Sequence, residues 1–205
     1  MNEAAEFDRS YADEQLRRAH HPLRRLIKRF YLSNTLREVR GPAIDFGCGA
    51  GQLLRRLPPR SIGLEINPCL VEDLRKEGLQ VQLYDASVDD YGLSHVAEGQ
   101  YRTMVMSHVL EHFADAAQVL RKLLRSCKRL GVIRIIVIVP GAKGYRSDKT
   151  HKTFVDRRYV REQQLELCEG YRLTAGRYFP LNIEKFGDIF VYQELLLIFD
   201  SNQSA

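Results

Sequence analysis

Tryptophan is absent from this 205-residue chain, and cysteine is scarce, at four residues. Cys48, Cys69, Cys127 and Cys168 are widely spread and form no C-x-x-C pair. That excludes a zinc or disulfide framework, and a reducing, cytoplasmic setting is expected. No metal centre is expected. Apolar runs are short: Ile135–Val139 is closed off by Arg134 and Pro140, well under the ~20 residues that span a bilayer. The opening Met1-Asn2-Glu3-Ala4 is polar and acidic, unlike a secretory leader. Internal repeats, low-complexity tracts and an evident linker are missing as well. One domain over residues 1–205 is therefore expected, large enough for its own core.

What charge there is leans basic, at +5 net. This admits nucleic acid, anionic lipid or acidic small molecules as partners without choosing among them. The bias is local, because no acid lies between Glu14 and Glu38. Pro22 suits the start of a helix. Leu23, Leu26, Ile27, Phe30 and Tyr31 then share one face, and Arg24, Arg25, Lys28 and Arg29 the other. A helical cap over residues 1–40 is expected, packed on a sheet with its basic face solvated. Peripheral contact with an anionic membrane or with RNA phosphates is the sharper alternative. Phe30-Tyr31 is on the apolar face, which disfavours a base-stacking platform.

The most telling stretch is Ala43-Ile44-Asp45-Phe46-Gly47-Cys48-Gly49-Ala50-Gly51-Gln52. An apolar run ending on an acid, then glycines at alternate positions, predicts a buried strand and a tight turn. Glycine belongs where backbone turns sharply or lies against a ligand. Leu53, Leu54 and Leu57 predict a helix next, whose N-terminus would suit a polar ligand. The G-x-G-x-G spacing differs from the dinucleotide G-x-G-x-x-G, and no phosphate-binding G-x-x-x-x-G-K-[ST] loop occurs. Cys48 reads as a small filler of the turn.

Further strands are predicted at Ser61–Ile66, Leu79–Tyr84, Tyr101–Ser107 and Val132–Val139, with a helix over Ala116–Cys127. Strand–helix alternation specifies a parallel sheet with helices on both faces. Beyond it, Gly141–Thr153 is a polar segment at the ligand edge of the sheet. Asp156 caps a helix predicted to run to about Glu169 and to end at Gly170. Tyr171–Tyr178 and Glu194–Phe199 read as two more strands. The stretch between them, with Phe179, Phe186, Ile189 and Phe190, reads as a partly apolar flap that packs on the core or lines an entrance.

With D-F-G-C-G-A-G at 45–51, Glu65 ending the second strand, Asp85-Ala86 ending the third and S-H-V-L-E-H-F at 107–113, the chain resembles the class I S-adenosylmethionine-dependent methyltransferases. The resemblance covers residues 41–140 well and the rest loosely. It implies an α/β, Rossmann-like, doubly wound sheet of seven strands, mostly parallel, with an antiparallel last strand. Residues 1–40 would form the cap, 41–140 the cofactor-binding core and 141–205 the substrate side. It implies S-adenosylmethionine as cofactor. Asp45, Gly47, Cys48, Gly49 and Gly51 would hold its methionine end, Glu65 and Ile66 its ribose, Asp85 and Ala86 its adenine, and Ser107 and His108 would line the floor near the sulfonium.

Methyl transfer from an activated donor rests largely on alignment, but a hydroxyl acceptor also needs a base. His151 is the first candidate, with Asp148 at hand to orient its ring, and His112 the second; imidazole titrates near neutral pH. Tyr145, Arg146 and Asp148 are candidate substrate contacts. The Asn/Asp-Pro-Pro-Tyr/Phe run of amino-methylating nucleic-acid enzymes is absent after the fourth strand. A small-molecule acceptor, methylated at a hydroxyl oxygen, is the expectation. Methylation of RNA through the basic N-terminal helix is the first alternative. Nicotinamide-dependent oxidoreduction and a catalytically silent cofactor-binding module are the others.

Overall fold

The computed structural model describes residues 31–202. The basic helix expected ahead of Tyr31 lies outside them. Five strands run parallel: β1 (Ala43–Phe46), β2 (Ile62–Glu65), β3 (Val81–Leu83), β4 (Thr103–Ser107) and β5 (Arg134–Pro140). With β6 (Leu167–Cys168), β7 (Tyr171–Phe179) and β8 (Glu194–Ser201) they make an eight-stranded sheet in the order β3-β2-β1-β4-β5-β8-β7-β6. β8 is inserted antiparallel between β5 and β7. Residues 31–36 are helical, and the helices that follow are α1 (Pro68–Lys76), α2 (Ala116–Leu130), α3 (Ala142–Arg146) and α4 (Arg157–Glu162).

Side chains alternate across a strand with period two, and β5 uses both faces. Ile135, Val137 and Val139 join Leu120, Leu123, Leu124 and Cys127 of α2 in the largest apolar cluster. Ile136 and Ile138 point the other way, joining Leu196 and Ile198 of β8 beneath Leu32, Leu36 and Val39. α1 closes the far end, with Val71 and Leu74 against Cys48, Leu54 and Val81. Its start is fixed locally: the Asn67 side chain accepts from the Cys69 and Leu70 amides, and Pro68 follows as the first helical residue. α2 is capped by Asp115 and ends on Gly131 at φ 75°.

Three expectations are corrected. Leu53, Leu54 and Leu57 do not lie on an α-helix; the segment makes only a 3-10 turn over Leu54–Arg56. Pro58-Pro59 follow at once, and proline pushes the preceding residue into extended backbone, as at Leu57 with ψ 156°. The helix predicted from Asp156 to Glu169 stops at Glu162. Gly170 ends a hairpin instead: Glu169 and Gly170 have φ 52° and 88°, the pair of positive values a two-residue turn needs, and Cys168 pairs with Tyr171 across it. The strand so formed, β6, raises the predicted seven strands to eight. It covers only Tyr171 and Arg172 of β7. Further along β7, the Arg157 guanidinium donates to the Gly176 carbonyl at 2.5 Å.

A polar clasp closes the edge of the sheet where β5 begins. Arg134 holds Asp200 at the end of β8 through two hydrogen bonds, 2.7 and 2.9 Å, and reaches Glu38 at 3.1 Å. Arg177 of β7 donates to the same Glu38, and Thr174 donates to Asp200 at 2.7 Å. Burial works to raise the Asp200 pKa, but the hydrogen bonds from Arg134 and Thr174 outweigh it and hold the carboxyl below its ordinary value. A depressed carboxylate pKa stabilises the fold above the unfolded pKa, and that stability is lost as pH falls through the folded value. Asp200→Asn is therefore expected to cost about 1.5–3 kcal/mol at pH 7, as charge-assisted hydrogen bonds do. The difference from wild type should narrow below about pH 4, where Asp titrates. Urea unfolding of both proteins at neutral and acidic pH measures this, and an undiminished gap in acid would refute it.

Candidate active site

The strand order reverses direction between β1 and β4, and open α/β sheets bind ligands at the carboxyl ends of strands beside such a reversal. The residues singled out from the sequence converge on that edge. β1 ends at Phe46, and Gly47, Gly49 and Gly51 take φ 71°, 52° and 68°, values that favour glycine. The Gly47 and Cys48 amides both donate to the Leu64 carbonyl, at 2.8 and 3.1 Å, so the turn is bolted to β2. A Cβ on Gly47 would lie 2.6 Å from Val109, whereas one on Gly49 would meet nothing within 4 Å. The loop is thus tight on one side and open on the other. Because no α-helix follows, the expected helix-dipole contribution is withdrawn; the turn offers individual backbone groups only.

Glu65 closes this cradle. Its two oxygens accept from the Gly49 amide at 2.7 Å and the Asn67 amide at 3.0 Å. Burial raises its pKa despite these hydrogen bonds. Ile66 follows at the strand end, half-buried. Asp45 is buried in β1. Cys48 is also buried, and desolvation, with Asp45 and Glu65 nearby, drives its thiol pKa far up. It packs against Leu54 and Val71, consistent with a filler. Asp85 turns on itself, accepting from the Ser87 amide and hydroxyl at 2.9 and 2.6 Å. With Leu83 and Val88 it borders a surface cleft that also includes Gln82, Tyr84 and His95. Ala86 is half-buried beside it.

The richest chemistry lies where β4 and β5 end side by side. Ser107 pairs with Ile138. His108 has a left-handed backbone, φ 57°, and its amide donates to the Ile138 carbonyl. Its ring sits between two carboxylates, Nδ1 3.2 Å from Glu111 Oε1 and Nε2 2.7 Å from Glu194 Oε1. Burial disfavours its charge, but Glu194 and Glu111 overcome that and lift its pKa to about 10. His108 is therefore an imidazolium at neutral pH, with both nitrogens donating.

His151 comes to the same place from the segment after β5. The Lys152 and Thr153 amides both donate to the Glu111 carbonyl, at 2.8 and 3.1 Å. The His151 side chain is only 8% exposed, with Nε2 3.9 Å from Glu111 Oε1. Its ring lies 4.9 Å from that of His112 and stacks on Tyr145 at 5.5 Å. Asp148 does not orient it, as the sequence suggested. Asp148 is occupied by the Thr150 amide and hydroxyl at 2.9 and 2.7 Å, and the Tyr145 carbonyl, 2.9 Å from Nδ1, sets the ring instead. His112 Nδ1 lies 3.2 Å from Thr150 Oγ1. Burial, helped by His151, lowers the His112 pKa. Arg146 is exposed at the end of α3.

Two participants were missed. Glu111 stood in the sequence only as part of the S-H-V-L-E-H-F run, yet it is fully buried and touches His108. Glu194, 86 positions from His108, was read only as the start of a strand. An acid heading the apolar run Leu195–Phe199 was the available signal. The flap divides: Phe186 and Phe190 stack at 5.0 Å, while Ile189 is 70% exposed. No metal was expected, but among the described residues Glu111, His112 and His151 each offer a ligand atom within 4.8 Å of the others.

A family model described as a methyltransferase domain matches residues 13–167. The chain belongs to that methyltransferase family. It is an enzyme of the S-adenosylmethionine-dependent class, and the nicotinamide alternative is set aside. No curated protein matches this chain. Among solved structures, a S-adenosylmethionine-dependent methyltransferase from Archaeoglobus fulgidus is 19% identical, with 95% of this chain and 100% of that chain covered and a TM-score of 0.65. Magnesium protoporphyrin IX methyltransferase from Synechocystis PCC 6803, with bound S-adenosylmethionine, is 13% identical, covered 98% on both sides, TM-score 0.65. The small RNA methyltransferase HEN1 is 18% identical, TM-score 0.56, with 86% of this chain and 25% of that chain covered. At these identities the likeness is one of fold. The glycine cradle, open at Gly49 and backed by a buried carboxylate, fits the methyl donor of this methyltransferase. Gly47→Ala is expected to destabilise the protein by about 1–3 kcal/mol through enforced positive φ and the clash with Val109. Equilibrium unfolding would test this, and unchanged stability would show that the turn can relax.

Proposed function

We propose that this methyltransferase acts on a hydroxyl oxygen of a small molecule, activated beside Glu111, His112 and His151. The observation that carries this is the convergence of two imidazoles and a buried carboxylate at the ends of β4 and β5, next to the glycine cradle. When bound, S-adenosylmethionine supplies a methyl group on a sulfonium. Asp45 and the turn of Gly47, Cys48, Gly49 and Gly51 hold its methionine end, Glu65 and Ile66 its ribose, and Asp85 and Ala86 its adenine. Ser107 and His108 form the floor.

His151 and His112 act on the acceptor. The Tyr145 carbonyl can only accept, so His151 carries its proton on Nδ1, and Nε2 keeps a lone pair for the acceptor's proton. His108 is excluded as a base by its raised pKa. Tyr145, Arg146 and Asp148 surround the acceptor, Arg146 supplying charge for an acidic group. No helix among the described residues is long and apolar enough to cross a membrane. The RNA alternative rests on the basic segment before Tyr31, outside the described residues.

Glu65→Ala should weaken S-adenosylmethionine binding by about 1–3 kcal/mol, read by calorimetry; unchanged affinity removes Glu65 from the cofactor site. His151→Gln should leave that affinity intact and lower turnover at least about 100-fold, read as S-adenosylhomocysteine release with a panel of hydroxylated small molecules. Methylation of RNA with none of the panel would overturn the acceptor class.

A further inference from the structure

The hydrogen bonds around His112 and His151 fix more than ring orientation. His151 Nδ1 must donate to the Tyr145 carbonyl, 2.9 Å away. Thr150 Oγ1 donates its own proton to Asp148 at 2.7 Å, so it can only accept from His112 Nδ1, 3.2 Å away. Each neutral ring therefore carries its lone pair on Nε2. Imidazoles held by Nδ1–H to a carbonyl, or to a hydroxyl backed by a carboxylate, are oriented as metal-binding histidines are.

Glu111 completes the set. It is fully buried, Oε1 is engaged by His108, and Oε2 has no hydrogen-bond partner among the described residues. A buried carboxylate oxygen without a partner is costly. The His151 Nε2 lone pair has no proton to offer it, and Nε2 lies 3.9 Å from the carboxylate's other oxygen, Oε1. A cation held by the carboxylate and the imidazoles would relieve it.

We propose that Glu111, His112 and His151 form a binding site for a divalent first-row transition-metal ion, with room on its open side for an oxygen of the acceptor. This inference rests on the reading of the site given above and changes one role in it: with the ion bound, the Nε2 lone pairs go to the metal, and the proton of the coordinated hydroxyl passes to water instead of to His151. Two imidazoles and one carboxylate suit zinc, cobalt or manganese better than calcium or magnesium. The ligand atoms, within 4.8 Å of one another, need only draw in slightly to reach bonds of about 2.0–2.2 Å. A cation there would lower the pKa of a coordinated hydroxyl.

The test titrates chelator-treated, full-length protein with Co2+, followed by its visible absorption, and with Zn2+ by calorimetry, with Mg2+ as the comparison. One equivalent should bind, with a d–d spectrum of nitrogen and oxygen ligation and Mg2+ binding far weaker. His112→Ala should reduce Co2+ affinity at least about tenfold. Thr150→Val, an exposed change that removes the hydroxyl linking His112 Nδ1 to Asp148 and leaves all three ligands in place, should reduce it about 10–100-fold. Absence of wild-type binding, or affinity equal in both variants, would overturn the site, as would a thiolate charge-transfer band from cysteine. S-adenosylmethionine binding and methyl transfer are measured on the same samples. Transfer by wild-type protein that binds no metal refutes the proposal and leaves the methyltransferase reading standing; one-to-one metal binding weakened in both variants supports the site whether or not the acceptor panel reacts.

Discussion

The parallel pairing of β1, β4 and β5 is the constraint on which the rest of this structure depends. Parallel neighbours end on the same side, so the glycine turn after β1, the His108–Phe113 turn after β4 and the polar segment after β5 open on one edge. The inserted antiparallel β8 begins where β5 ends, with Glu194 opposite Pro140. It therefore delivers a second carboxylate to His108 from a strand running the other way. One backbone carbonyl, that of Glu111, then takes two amides of the later segment and fixes how far His151 can stand from His112.

Charge at this edge is arranged in layers. His108, an imidazolium, is shared by Glu111 and Glu194 and offsets part of the cost of burying the first carboxylate. Its left-handed backbone turns the chain sharply at the end of β4. Strain of this kind costs of order 1–3 kcal/mol and persists where the surroundings over-determine it. Here they do: its amide holds β5 and both ring nitrogens hold acids. His112 and His151 face a hydroxyl and a carbonyl through Nδ1 instead of carboxylates.

Much of this was legible in the chain. Strands β1 to β5 announce themselves as apolar runs, and the glycines at 47, 49 and 51 state where backbone must turn with positive φ. Glu65 could be placed because it ends β2, and Asp85 because it follows β3 by two residues. What failed, failed for local reasons. Leu53, Leu54 and Leu57 carry a helical period, but Pro58-Pro59 leave no length for a helix. Glu169-Gly170 looks like a helix end and is a hairpin, since the two share a demand for positive φ. The partnership of His108 with Glu194 could not be read at all, because it depends on tertiary register and not on spacing. Asp148 lies near His151 in sequence, yet Thr150 claims it first.

The shortness of β6 has its own consequence. A strand of two residues pairs with one end of β7 and leaves the remainder without a strand on that side among the described residues. Open margins are templates for adding another chain's strand. Here Arg157 seals the Gly176 carbonyl. Continuous strand addition along β7 is thereby opposed at Gly176 by a cation that α4 carries, so the helix that follows the His151 segment in the chain also guards the far margin of the sheet.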